Sequence, residues 1–264
     1  MKVALITGGT RGIGLAIARE LAAKEYNLVL GYNSDRESAQ AAKNELEKAN
    51  IKVVTVAGDI KKTETIDALF EAIKEEFNGQ LNAMVCLAGY AIVAQLPGKF
   101  TFEQYEEAQE LYPKAFIKCM EKALTYMADG QGRVVAISSH GVRHPGQAYA
   151  MSGAAKAGME VLAQHYAIAI APRGITVNIV APGYIKTEAW DGYLKTFPYI
   201  EQMPPKATPM GRWGQVEDVA PLVAFLCSPD SGFVTGAVYL CGWWRGIIFV
   251  LEYSSNERPK TVNQ

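Results

Sequence analysis

Lys156 falls in a helical stretch seventeen residues after Ser139, and the hydroxyl-bearing residues upstream of it are Ser152 and Tyr149. A serine hydroxyl, a phenol and an ammonium group together form a proton-delivery set. The phenol donates, and a neighbouring cation lowers its pKa so that it can do so near neutrality. The reach of such a set depends on where the phenol stands. At 3.6 residues per turn, positions four apart share a helix face, and positions seven apart return to it within about 20°. Tyr149, Ser152 and Lys156 therefore line one stripe, with serine one turn from the lysine and the phenol a turn farther.

A second set of residues offers a place for a phosphorylated ligand. Thr7-Gly8-Gly9-Thr10-Arg11-Gly12-Ile13-Gly14 follows an apolar strand-like run and opens a helical one. Glycines there let the backbone turn sharply and approach a pyrophosphate, which then rests on helix-terminal N–H groups. The second strand ends Gly31-Tyr32-Asn33-Ser34, without the acidic residue that would bond the ribose of NAD. Arg11 instead offers a cation to a 2′-phosphate, so NADPH is the expected cofactor rather than NADH. The competing reading makes Arg11 a solvated charge and lets Asp35 reach the ribose.

These groups need elements to hold them. Residues 3–6, 27–31, 52–57, 82–87, 133–138, 176–180 and 237–240 read as strands, and 12–24, 35–50, 63–78, 101–128, 149–171 and 216–227 as helices. That alternation predicts an α/β fold: a doubly wound (Rossmann-type) parallel sheet with helices on both faces, in a single domain. Ser34-Asp35-Arg36-Glu37 and Thr101-Phe102-Glu103-Gln104 are capping-box candidates for two helix starts. The domain is expected over residues 1–251, with 252–264 a polar tail.

Composition narrows the classes. The chain has 264 residues, 49% of them hydrophobic, 24 glycines and a formal net charge of −1. Such a balance gives no electrostatic case for nucleic acid or a membrane surface. No apolar run approaches the ~20 residues a membrane span needs, and a cytoplasmic protein is expected. Cys86, Cys119, Cys227 and Cys241 are scattered and read as reduced thiols. Ser139-His140 with His144 lacks the G-x-S-x-G turn of a hydrolase. His165 has no second ligand at metal spacing, so no metal site is expected. Arg143 and His144 read as solvated loop charges or as contacts for an anionic substrate arm.

The chain resembles the short-chain dehydrogenase/reductase family over roughly residues 1 to 242. Thr7–Gly14 is similar to its T-G-x-x-x-G-x-G signature, Asp59 to its adenine-contacting aspartate, Ser139 and Lys156 to its catalytic serine and lysine. Asn178 resembles its structural asparagine, and Pro182-Gly183-Tyr184-Ile185-Lys186-Thr187 the P-G-x-x-x-T segment that holds the nicotinamide carboxamide. On this resemblance Gly8, Thr10, Arg11, Gly12, Ile13, Gly14, Asn33, Ser34, Asp59, Ile60, Ala88, Gly89, Lys156, Pro182, Gly183, Ile185 and Thr187 contact the cofactor. Departures are as informative. The family N-N-A-G is here Cys86-Leu87-Ala88-Gly89; its helix asparagine aligns near Leu111, before Tyr112-Pro113; its V-D-G-G is Leu240-Cys241-Gly242-Trp243; and its tyrosine position is Ser152.

The Tyr149-(x)6-Lys156 spacing is similar to enoyl-acyl-carrier-protein reductases of the short-chain type. There the donor meets an enolate oxygen, which lies farther from the hydride acceptor than a ketone oxygen does. The resemblance implies Tyr149 as donor, Lys156 on the cofactor ribose and Ser139 orienting the acyl carbonyl. Two alternatives stay open: carbonyl reduction with a displaced donor, Tyr184 or water included, and a non-reducing relative such as a cyclase or isomerase partner. The implied partners are a small-molecule or acyl-thioester substrate, carried on acyl carrier protein, and further copies of the chain in a homodimer or homotetramer. Loops at 89–100, 141–147 and 184–205 would shape the substrate pocket, with Trp190, Tyr193, Phe197 and Tyr199 as its aromatic lining or as lid packing. Trp243, Trp244 and residues 247–251 would form an apolar edge or subunit contact.

Overall fold

Seven strand-like runs this rich in Val, Ile and Leu suit a sheet buried on both faces, and that is how they assemble. A computed structural model describes residues 1–92, 98, 100–144, 149–188, 208 and 210–242. Parts of all three substrate loops, the four aromatics at 190–199, the Trp243-Trp244 segment and the tail lie outside the described residues.

The described elements run β1 (Lys2–Thr7), α1 (Gly12–Ala23), β2 (Tyr26–Tyr32), α2 (Arg36–Leu46), β3 (Val53–Ala57), α3 (Thr63–Phe77), β4 (Ala83–Cys86), α4 (Phe102–Gln109), α5 (Ala115–Tyr126), β5 (Arg133–Ile137), α6 (Ala150–Ile170), β6 (Thr176–Pro182), α7 (Ala220–Leu226) and β7 (Val238–Cys241). The strands form one sheet in the order β3-β2-β1-β4-β5-β6-β7, every pairing parallel. On one face Ile17 and Leu21 of α1 pack with Val223 of α7; on the other Phe70 of α3, Phe116 of α5 and Met159 of α6 share a core. Chain direction across the sheet reverses between β1 and β4, so the loops leaving these two strands diverge and open a crevice at their C-terminal ends. Each segment nominated for the site follows a strand into that end.

Three local details differ from the sequence expectation. The 101–128 helix is broken, with Glu110–Lys114 forming a π-helical turn between α4 and α5. Pro113 lacks an N–H and cannot close an α-helical bond, and a widened turn absorbs the mismatch. At α2 the cap is Asp35, whose carboxylate accepts from Ser38 N at 3.0 Å, so Ser34 and Glu37 do not form the box. Thr101 and Gln104 do form theirs. Residues 216–218 are a 3-10 turn ahead of α7.

Arg133 opens β5 with its guanidinium buried. Its Nη1 donates to Gly132 O at 2.8 Å and its Nε to Ser228 O at 3.2 Å, tying the turn after α7 to the sheet. Arg133→Met is expected to cost about 2 kcal/mol in urea unfolding, the scale of lost bonds to a charged donor. An unchanged midpoint would show that those carbonyls need no protein partner.

Candidate active site

The first turn of α1 is built by close approach. Gly8 N and Gly9 N both donate to Gly31 O, at 2.9 and 3.0 Å, which folds the turn back over β2. A Cβ on Gly14 would stand 2.0 Å from Gly8 O, so only glycine fits there. Gly12 adopts φ +53° and lies within reach of Thr187, which brings the segment after β6 down onto the glycine turn. Arg11 precedes α1 without a side-chain cap, leaving first-turn N–H groups at the cleft that Gly12 and Ile13 line.

That cleft has a volume of about 440 Å³, and every residue nominated from sequence lines it except Gly14, which packs beneath. The donor set fits a dinucleotide: a glycine turn with open amides at the switch point, Asp59 and Ile60 at one end, Ser139, Tyr149 and Lys156 at the other. Asp35 also lines it. Its carboxyl lies below its ordinary range because Ser38 donates to it through both hydroxyl and amide, with Arg11 adding charge nearby.

Loss of the N-N-A-G asparagines does not leave the end of β4 unbraced. Thr7 Oγ1 accepts from Leu87 N at 3.0 Å and Ala88 N at 3.1 Å, joining the two strands that flank the crevice. Asn178 bridges β6 to the approach to β7 through Val234 O at 2.7 Å.

At the far end, Tyr149 is the N-cap residue of α6 rather than its first helical residue, and its carbonyl accepts from Gly153 N at 2.7 Å. Gly141 N donates to Ser139 Oγ at 3.1 Å, and Ser139 lines the cleft beside Tyr149. Burial pushes the Tyr149 phenol up to about 12, with Ser139 opposing. Lys156 is buried; its Nζ donates to Ile137 O at 2.9 Å and Ser138 O at 3.1 Å. Burial pulls its pKa down to about 8 against the charge of Glu160. Ser152 is fully buried and turned away from this group, its Oγ accepting from Ile92 N at 3.0 Å.

Sequence reasoning missed two participants and misplaced two. Glu160, one turn beyond Lys156, is buried and accepts from Arg143 Nη2 at 2.7 Å and Nη1 at 3.1 Å, and from Ser138 Oγ. Arg143 keeps 35% of its side chain exposed, as a loop charge would, while its ion pair with Glu160 braces the loop after β5. The side chain that meets Lys156 from the broken helix is Tyr112, its ring 4.7 Å from Nζ, and not Leu111. His140 and His144 stack at 4.5 Å, and burial holds His140 down to about 4. Tyr184 packs edge-on against Trp213 and is not among the residues lining the cleft. The four cysteines are free thiols. Among the described residues no group of three or more His, Cys, Asp or Glu stands together to hold a metal, and no helix is long and apolar enough to cross a membrane.

Comparison with known proteins agrees with this geometry. The family described as Enoyl-(Acyl carrier protein) reductase matches residues 8–241. A hydroxynaphthalene reductase-like protein, Arp2, of Metarhizium brunneum is 32% identical over 252 residues, covering 90% of this chain and 92% of that protein. The 3-oxoacyl-[acyl-carrier-protein] reductase FabG of Staphylococcus aureus is 32% identical over 238 residues, 89% of this chain and 94% of its own. The crystal structure of levodione reductase superposes with a TM-score of 0.82 at 28% identity, covering 91% of this chain and 96% of that one.

The depressed Lys156 pKa carries a sign. The unfolded chain keeps the lysine proton up to its ordinary 10.5 while the folded chain releases it near 8, so between those values the unfolded state holds more protons. Stability should therefore rise with pH across this window, by up to ~1.4 kcal/mol per pH unit, and below it the buried charge is a fixed cost. Urea unfolding of the wild type and Lys156→Met over that range is expected to show this rise only where the lysine is present. Parallel curves would mean that the amine is solvated.

Proposed function

Because the chain belongs to the short-chain dehydrogenase/reductase family, we propose that it is an NADPH-dependent reductase of a C=C bond conjugated to a thioester or carbonyl, with Tyr149 as proton donor. The observation that carries this reading is that Ser139 and Tyr149 line the cleft together while Ser152 does not line it and is committed to Ile92 N. The phenol that meets a substrate oxygen is then the one seven residues before the lysine.

Each residue has a task that follows from its surroundings. Bound NADPH supplies a hydride. Tyr149 gives its proton to the oxygen that takes up negative charge, the carbonyl oxygen of the conjugated system. Ser139, already fixed by Gly141 N and beside the phenol in the cleft, orients that oxygen and steadies the phenolate left behind. Lys156, on the same stripe, adds positive charge that eases proton release, against the burial that holds the phenol up. Arg11, lining the cleft beside the glycine turn, supports NADPH over NADH. An acyl group carried on acyl carrier protein suits the same reading. Val161 and Ile168, exposed on α6, support a homodimer or homotetramer.

The relatives' names favour a second reading, reduction of a ketone with the same displaced donor. The two separate in one assay: NADPH consumption with an α,β-unsaturated acyl thioester and with its 3-ketoacyl counterpart. Turnover of the enoyl thioester is expected, falling by roughly 10²–10⁴-fold in Tyr149→Phe. Preference for the ketone would overturn the enoyl reading, and full activity in Tyr149→Phe would remove Tyr149 from the reaction. Arg11→Gln is expected to raise the KM for NADPH about tenfold with little change for NADH, as loss of a phosphate partner requires; equal changes for both would overturn the cofactor assignment.

A further inference from the structure

We propose that Tyr112 is the positioning residue of Lys156: its ring seats the lysine amine, and it does so from the volume that a larger side chain at position 152 would need. The proposal concerns how the amine is held and stands apart from which bond is reduced.

Four observations converge on this ring. Lys156 Nζ has three N–H donors, and two are spent on Ile137 O and Ser138 O at the end of β5. The charge that remains lies 4.7 Å from the Tyr112 ring centroid, inside the range at which a ring face attracts a cation. Tyr112 cannot swing away, because its Oη donates to Tyr90 O at 2.6 Å. On the opposite edge, a Cβ at Gly89 would stand 2.6 Å from Tyr112 Cε1, so the ring lies flush against the backbone after β4.

Ser152 completes the arrangement. It is fully buried, accepts from Ile92 N, and lies close enough to Tyr112 to lower the pKa of its phenol. Two bonds hold the pair in place: Ile92 N–H to Ser152 Oγ, and Tyr112 hydroxyl to Tyr90 O. With Ser152 fully buried, a longer side chain at 152 would need the space that the Tyr112 ring fills. Burial pushes the Tyr112 phenol well above its ordinary value, and the nearby Tyr149 adds to this, so the ring that faces Lys156 stays neutral. The ionisable groups around the amine are then Glu160 on its own helix, itself paired with Arg143 from the loop after β5, Tyr112 from the π-turn, and Tyr149 at the helix start.

Two unfolding experiments test the proposal, and neither needs a substrate or a cofactor. The first compares Tyr, Phe and Leu at position 112, each with Lys or Met at 156, by urea unfolding as a function of pH. The lysine-dependent rise in stability is expected to begin at the same pH with Tyr and Phe, and about one pH unit lower with Leu, since the ring face favours the charged amine. An unmoved onset with Leu would overturn the seat, as would a Phe variant that behaves like Leu. The second is a cycle of Ser152→Tyr and Tyr112→Ala. Ser152→Tyr is expected to lower the urea midpoint in the wild type and to cost less in Tyr112→Ala; additive losses would overturn the shared volume. If Tyr112→Ala does not fold, Tyr112→Leu serves in its place, and the same additivity decides the matter.

Discussion

A primary amine inside a protein is the constraint around which this active site is arranged. Taking Lys156 out of water disfavours its charge, so the fold has to supply what water gave. The sheet supplies it from the end of β5, where Ile137 and Ser138 turn their carbonyls to Nζ. The broken helix supplies a ring face, and α6 supplies Glu160 one turn away. Glu160 is in turn too buried to stand alone and is held by Arg143 and Ser138. The loop after β5 that carries Ser139 is therefore fastened to α6 by the charges that stabilise the lysine.

The cofactor end of the cleft obeys a different constraint, space rather than charge. Gly8, Gly14 and Gly31 let three backbone segments meet within hydrogen-bonding distance or closer than a Cβ would permit. Thr7 then locks β1 to β4 where the sheet reverses direction. The two ends are joined through β4: Ala88 and Gly89 sit against the glycine turn on one side and against Tyr112 on the other. A shift in the ring would thus be felt in the wall of the dinucleotide cleft.

Most of this fold was legible because parallel strands buried on both faces write continuous apolar runs, and all seven are plain in the sequence. The glycine turn and Ser139, Tyr149 and Lys156 were legible for the same kind of reason: each sits at a fixed offset from a strand end or along one helix stripe. What could not be read was side-chain partnership across elements. Arg143 and Glu160 lie seventeen positions apart on a loop and a helix, and nothing in their spacing couples them. Tyr112 was hidden by the register of an irregular helix. The helix expected over 101–128 is broken at Pro113, and its π-turn shifts which residue points inward, bringing Tyr112 rather than Leu111 to the lysine. The faint available signal was Ser152 itself: a small residue on a buried stripe implies a large neighbour filling the gap.

That gap links the two oddities of the chain. A phenol one turn before the lysine and a bulky ring opposite it would compete for one volume, whereas a phenol at the N-cap is clear of it. Tyr149 leaves the helix axis before the first helical residue, with φ −108° and ψ 7°, and its ring lies against Gly141, where a Cβ would come within 2.6 Å of it. Its direction is set by the loop after β5 as much as by α6. Tyr149 and Ser139 are thus positioned by the same segment, since both belong to that loop or abut it. On the proposed reading, a proton donor carried this way would be displaced along the cleft relative to the lysine while staying beside Ser139, whose hydroxyl would orient the acceptor.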